Sequence, residues 1–238
     1  LGLPVIGVQH HYAHVLSCMI DNETEPPVLG VAWDGTGWGV DGTVWGGEFL
    51  RVPAHGFERV GHLRTFGLPG SEKAVAEPRR SALGVLFEIY GADLPDDLPP
   101  IRTWLPRERA TLVAMLERGL QSPRTSSAGR LFDAVAALVG IRQTCTFEGQ
   151  AAMELEWSID GCETDDSYDV AGEDWEPIVR GIVADLRRGV PTGRIAARFH
   201  NALGDIIVHV AERVGEEQVA LSGGCFQNRT LVERTVQK

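Results

Sequence analysis

Two periodicities organise the apolar positions of this chain. Short apolar runs occur at Leu3–Val8, Val28–Trp33 and Val219–Leu221, each suited to a buried strand, and the chain returns through Thr43–Val52 as the second arm of a hairpin. Between them the apolar residues recur at helical spacing. Gln9–Ile20 places Val15, Leu16 and Met19 on one side, and further helical patterns cover about 72–90, 107–120 and 128–140. Gly193–Val214 carries Ile195, Phe199, Leu203, Ile206, Ile207, Val210 and Val214, the stripe of a long core-facing helix, and a last helix starts near Arg229. Asp34-Gly-Thr-Gly-Trp-Gly between Val28–Trp33 and that return predicts a hairpin turn. The acidic stretch Gly161–Glu176 reads as an exposed connection between lobes or as a plain surface loop. Strands interleaved with helices predict an α/β protein. No repeat of fixed period is present.

Charge narrows the function classes. Lys+Arg total 22 against 33 Asp+Glu, a formal net charge of −11, which argues against nucleic acid or an anionic membrane as partner through a general basic face. No apolar run approaches the roughly 20 residues that span a bilayer, and no basic-then-apolar leader precedes Leu3. Cys18, Cys145, Cys162 and Cys225 are scattered without a C-x-x-C pair, as expected of reduced thiols in a cytoplasmic protein. Leu1 is not Met, and Lys238 falls inside a helical pattern, so both ends read as cut from a longer polypeptide.

Four clusters carry chemistry. In Gln9-His-His-Tyr-Ala-His14, His10 and His14 are separated by one helical turn and can reach one ion. Imidazole suits iron, zinc, nickel or copper rather than magnesium alone. His11 points about 100° away, toward a supporting or phosphate-facing role. Asp34-Gly-Thr-Gly37 places a carboxylate at a strand end before glycines 35 and 37, where backbone N–H groups can approach phosphate. An ordinary hairpin turn explains the same residues equally well. Leu221-Ser-Gly-Gly-Cys-Phe-Gln-Asn228 offers a glycine turn at a strand–helix junction, a phosphate-binding device or a simple connecting loop. In Gly129-Arg-Leu-Phe-Asp133, Asp133 can accept from ribose hydroxyls or serve as a favourable carboxylate near a helix start.

The order of these clusters is similar to the two phosphate loops and adenosine element of the actin/sugar-kinase/Hsp70 ATPase fold, and the paired histidines resemble its threonylcarbamoyl- and carbamoyl-transferase branch. Several strings resemble the C-terminal region of the HypF family, the carbamoyltransferases of nickel–iron hydrogenase maturation. They are Val8-Gln-His-His-Tyr-Ala-His14, Asp34-Gly-Thr-Gly-Trp-Gly39 with Trp45-Gly-Gly-Glu48, Leu68-Pro-Gly70 with Glu77-Pro-x-Arg80, Thr125–Gly140, Glu148-Gly-Gln-Ala-Ala152 and Leu221–Asn228. They span essentially the whole chain. Ser71-Glu-Lys73 departs from the family's commoner Gly-Asp-x.

The resemblance implies a two-lobed fold of mixed sheets flanked by helices, with a first lobe at 1–125 and a second, incomplete at its C-terminus, at 126–238. It implies a divalent metal held by His10, His14 and Asp34, with iron or zinc favoured over magnesium. Nucleotide, as ATP or AMP in carbamoyl-adenylate, would meet Gly35, Thr36, Gly37, Gly129, Asp133, Glu148, Ser222, Gly223, Gly224 and Asn228, with the two glycine loops on opposite walls of a cleft. His11, Lys73 and Arg80 are candidates for contact with phosphate or carbamoyl; an exposed charged helix face explains Lys73 and Arg80 as well. No protein nucleophile is implied. Upstream domains would make carbamoyl-adenylate from carbamoyl phosphate and ATP, and the acceptor would be the C-terminal cysteine thiol of HypE. In the family a second aspartate, from an Asn-Asp-Gly-Gly-type string further downstream, completes the metal site. No such string occurs in these 238 residues, so the expectation is weak metal binding and poor transfer by this chain alone. A small-molecule O-carbamoyltransferase, a sugar or acid kinase and a nucleotide-sensing module are the competing readings; the kinase leaves the paired histidines unexplained.

Overall fold

The computed structural model describes residues 7–238. Of the expected strand Leu3–Val8, residues 3–6 lie outside the described residues, and Gly7 and Val8 are irregular. Helix α1 (His10–Asp21) starts where Gln9 accepts from the Tyr12 amide through its side chain. It leads to β1 (Val28–Trp33), which pairs antiparallel with β2 (Gly47–Val52) in register Val28↔Val52 to Trp33↔Gly47. β3 (Glu58–His62) continues the sheet on the far side of β2, and β4 (Phe66–Gly67) starts a separate two-stranded ribbon.

The helical pattern at 72–90 is two helices, α2 (Lys73–Ala76) and α3 (Pro78–Tyr90). Pro78 cannot donate within a continuous helix but suits the first position of a new one. The short α4 (Pro99–Arg102) and α5 (Pro106–Arg118) follow, then β5 (Arg124–Thr125), which pairs with β4. Helix α6 (Ala128–Leu138) is buried almost throughout. Beyond it come α7 (Gln150–Trp157), α8 (Glu176–Arg188) and α9 (Thr192–Val214). The chain re-enters the sheet as β6 (Val219–Ser222), makes a single 3-10 turn at Gly224–Gln227 and continues into α10 (Arg229–Val236).

The four-stranded sheet has the order β3-β2-β1-β6, and β6 runs parallel to β1 with Ala32 opposite Ser222. β1 is apolar at every position because both its faces are covered. Leu29, Val31 and Trp33 point into the larger core with α3, α6 and α9, while Val28 and Ala32 join Val15 and Met19 of α1 on the other face. Gly30 lets α1 approach: a Cβ there would stand 2.3 Å from Val15.

Two expectations change here. β6, from the far side of the 125/126 boundary, pairs directly with β1, so the two expected lobes share one sheet among the described residues. The glycine loops after β1 and β6 therefore lie side by side at the carboxyl ends of adjacent parallel strands, not on facing walls. The acidic stretch 161–176 is a surface loop, one of its two expected readings, anchored at two points: Trp175 is fully buried and donates to the Arg64 carbonyl, and Tyr168 donates through its hydroxyl to Asp185 at 2.8 Å. No helix of the described residues is long and apolar enough to cross a membrane.

Candidate functional site

The carboxyl ends of neighbouring parallel strands expose loop backbone and leave a crevice where ligands can sit. Asp34 stands at that end of β1. Its backbone is fixed from three sides: its N–H donates to Gly46, and its carbonyl accepts from the Gly129 N–H and from the Ser127 hydroxyl at 2.7 Å. Its Oδ1 accepts from the Gly35 N–H at 2.7 Å, which turns Oδ2 toward α1. There Oδ2 lies 3.3 Å from His10 Nε2 and 3.1 Å from His14 Nε2, and the two Nε2 atoms are 3.2 Å apart.

This triangle fits a metal by its donor chemistry and its size. Ligand atoms of a tetrahedral ion with bonds of about 2.0–2.1 Å stand about 3.3 Å apart. Two imidazoles and a carboxylate suit a borderline divalent cation such as zinc or iron. These three residues form the one such His/Cys/Asp/Glu cluster among the described residues. Gly37 makes the approach feasible: a Cβ there would stand 2.4 Å from His11 Cε1 and 2.9 Å from His10 Cδ2.

His11 is fully buried beneath that loop, so a direct phosphate contact is replaced by a supporting position. Gln9, whose Oε1 is taken by the Tyr12 amide, donates through Nε2 to His11 Nδ1 at 3.2 Å; the ring proton then sits on Nε2, which has no partner. Burial, with nearby His10 and His14 adding to it against the pull of Glu48 and Asp34, holds its pKa down at about 4, so the ring is neutral.

On the other side of Asp34 opens a cavity of about 550 Å³. Asp34, Gly35, Gly129, Asp133, Glu148, Gly224 and Asn228 of the expected set line it, together with Arg130, Cys225 and Glu156. Ala152, Met153 and Trp157, the last about two-thirds exposed, are also on its wall. α6 meets the loop backbone to backbone, since a Cβ on Gly129 would come within 2.7 Å of Gly35 Cα. Gly224 leaves room for the Asp34 carboxylate, 3.0 Å from where its Cβ would be.

Other expected contacts lie elsewhere. Gly223, at φ +98°, packs its backbone against the Trp33 carbonyl, where a Cβ would stand at 2.3 Å. Ser222 donates its hydroxyl to the His14 carbonyl at 3.0 Å and ties α1 to β6. Thr36 is exposed and does not line the cavity. Lys73 is also exposed, and Arg80 pairs with Glu77 at 3.1 Å beside the Trp104 ring; neither lines the cavity. Asn228 is as much structural as ligand-facing. Its Oδ1 caps α10 by accepting from Leu231, and its Nδ2 donates to Nε2 of the fully buried His200 at 2.9 Å. His200 donates from Nδ1 to the Ala196 carbonyl, and burial holds its pKa down at about 4.

Asp133 is only 2% exposed, with Oδ2 2.8 Å from Arg130 Nη1, so its nearest partner is that guanidinium rather than an incoming ribose. Burial raises its pKa to about 6, with Arg130 opposing and Glu148 adding to the rise. Burial and the Asp34 charge push the Cys225 thiol well above the ordinary thiol range, which favours its protonated form.

Sequence reasoning missed Arg130 and Glu48. Arg130 is the one charged residue before Asp133 in an otherwise apolar helix, a visible anomaly. Glu48, fully buried, accepts from the Gly46 and Gly47 amides, from Ser126 and from Arg59 at 2.6 Å, which shapes the hairpin under the site. Alternation along a strand gives no hint that a carboxylate will be so fully satisfied.

Residues 30–238 match the family model described as "Carbamoyltransferase, Kae1-like Domain, second subdomain", a match that runs across the expected 125/126 boundary. The chain is 40% identical over 260 residues to carbamoyltransferase HypF of Synechocystis sp., covering 99% of this chain and 33% of that protein. It is 41% identical over 247 residues to carbamoyltransferase HypF of Rhodobacter capsulatus, covering 99% and 32%. The crystal structure of full-length HypF in the phosphate- and nucleotide-bound form superposes with a TM-score of 0.89 at 39% identity, covering all of this chain and 38% of that one. The chain thus spans about a third of the length of the curated HypF relatives named here. With a matching family model over most of its length and the same α/β fold, the chain belongs to the Kae1-like carbamoyltransferase domain family of the HypF proteins.

Proposed function

We propose that this chain is the carbamoyl-transfer module of a hydrogenase-maturation enzyme, taking the carbamoyl group from carbamoyl-adenylate to a cysteine thiol at the C-terminus of HypE. One observation carries the reading: Asp34 belongs both to the metal-type triangle with His10 and His14 and to the wall of the 550 Å³ cavity. A ligand filling the cavity therefore ends against the triangle. The nucleotide's base and ribose would occupy the side of Ala152, Met153 and Trp157, with Glu148 within reach of ribose hydroxyls. Its phosphate would lie toward Gly35, Gly129 and Gly224, where side chains are missing and backbone can come close.

In the transfer, the acceptor thiolate attacks the carbamoyl carbon. A C–S bond forms, the C–O bond to phosphate breaks, and AMP departs with the electron pair, while the thiol proton goes to solvent. Carbamoyl-adenylate is a mixed anhydride with a good leaving group, so no nucleophile from this chain is needed, in keeping with the protonated Cys225. When bound, a divalent ion on His10, His14 and Asp34 would supply a positive charge for the developing oxyanion. The chain's own part is to orient the anhydride and hold AMP in place.

The test incubates the protein with carbamoyl-adenylate and a peptide carrying the HypE C-terminus, then reads the peptide by mass spectrometry. A carbamoyl adduct on the cysteine, lost when Asp34 is replaced by Ala, is the expected result. Carbamoylation of small hydroxylated acceptors with an untouched peptide would overturn the proposed acceptor.

A further inference from the structure

The cavity is acidic. Asp34, Asp133, Glu148 and Glu156 line it, and Arg130 is the one cationic side chain on its wall among the described residues. A phosphate entering such a site meets like charge unless something answers it. Helix dipoles and free amides are the usual answer at a helix start, yet the first turn of α6 is spoken for. Its Ala128, Gly129, Arg130 and Leu131 N–H groups donate to Gly46, Asp34, the Ser127 hydroxyl and the Ser127 carbonyl respectively.

The Arg130 side chain is 97% out of solvent by the 3% exposure of its residue, and it lies against the loop, with Nη2 3.2 Å from where a Cβ on Gly35 would be. Its pairing with Asp133 is close but poorly aligned: Nη1 stands 2.8 Å from Oδ2, yet Arg130 Nε and Nη1 and Asp133 Oδ2 lack a hydrogen-bond partner. Donors buried without partners are costly. A guanidinium in this state is matched to an anion that presents two oxygens for parallel hydrogen bonds, as a carboxylate or a phosphate does.

We propose that Arg130 receives the phosphate of the bound nucleotide, and that Asp133 is the internal anion which occupies the guanidinium until the nucleotide arrives. The inference rests on the reading that the cavity holds a nucleotide. It assigns the two residues opposite effects. Arg130 favours the phosphate directly, whereas Asp133 competes with it.

The experiment measures AMP and adenosine binding by calorimetry after chelator treatment, so that no metal supplies the missing charge. The unchanged protein should bind AMP at least about tenfold more tightly than adenosine. Arg130→Met should bring that ratio near one while adenosine affinity persists, and Arg130→Lys should recover part of it. Asp133→Asn, which keeps an acceptor oxygen but removes the competing charge, should raise the ratio. A purely structural ion pair would lower binding of both ligands in both variants. An unchanged ratio in Arg130→Met, a ratio near one in the unchanged protein, or a fall in Asp133→Asn overturns the assignment, and the last two decide it even if Arg130→Met does not fold. If the unchanged protein binds neither ligand, the nucleotide reading itself fails and this inference with it.

Discussion

Gly37→Ala should cripple the metal triangle without touching any of its three ligands. Carbon atoms in contact settle about 3.5–4.0 Å apart, whereas the added Cβ would stand 2.4 Å from His11 Cε1 and 2.9 Å from His10 Cδ2. His11 cannot retreat, because it is fully buried with the Trp45 ring centroid 6.0 Å away. The strain must therefore move the start of α1 or the loop by roughly 1 Å, the shortfall from ordinary contact. Metal–ligand distances tolerate only about 0.2 Å, so a triangle with edges of 3.1–3.3 Å cannot absorb that shift unchanged. Displacing the supports of metal ligands typically costs about 10–100-fold in affinity, or about 1.4–2.7 kcal/mol. Overpacking should also lower the stability of the metal-free protein by about 1–3 kcal/mol. Zinc affinity is read by competition with a chromophoric chelator and stability by urea unfolding, with the exposed Thr36→Ala as a control that should change neither. A Gly37→Ala protein that binds zinc as tightly as the parent would refute the argument that this glycine exists to admit the histidines.

His10→Ala and His14→Ala should each weaken zinc binding relative to the parent, measured by chelator competition, while His11→Ala should leave it largely unchanged because its buried ring is not one of the three ligands. Asn228→Ala should destabilise the protein by about 2–4 kcal/mol in urea unfolding, about 1 from the lost α10 cap and about 1–3 from leaving His200 Nε2 buried without a donor. His200, with a pKa near 4 in the fold against 6.5 in the unfolded chain, makes the unfolded state bind more protons between those values. Its contribution is therefore complete above pH 6.5 and lost as pH falls toward 4, with a slope of up to about 1.4 kcal/mol per pH unit. His200→Gln should flatten the stability profile in that window, and an unaltered slope would contradict the buried neutral ring.

Much of the local structure is legible in the residues themselves. The run Val28–Trp33 is a strand with those same limits, and the stripe from Ile195 to Val214 lies in one long helix. That His10 and His14 meet across one turn is legible from their i, i+4 spacing, whereas Asp34 joins them only because α1 packs on β1. The break at Pro78 was equally readable, since proline at that position ends one helix and begins another. α8 carried its own signal in Ile178, Val179, Ile182 and Val183, an apolar stripe that the acidic stretch before it obscured.

What periodicity and turn chemistry determine is the type of each element and which of its faces is apolar. They do not say which apolar face meets which. That β6 lies parallel beside β1 depends on the packing of α1 and α9 over opposite faces of one sheet, and it brings Gly224 to Asp34 across 190 residues of chain. The same packing decides that Ser222 anchors a helix, that Asn228 serves His200, and that Arg80 pairs with Glu77 and does not line the cavity. It also makes Arg130, visible in the sequence only as a lone charge in an apolar helix, the one buried cation on the wall of an acidic cavity among the described residues. Charge and burial at a site are sums over neighbours from distant segments, so only the tertiary structure sets them.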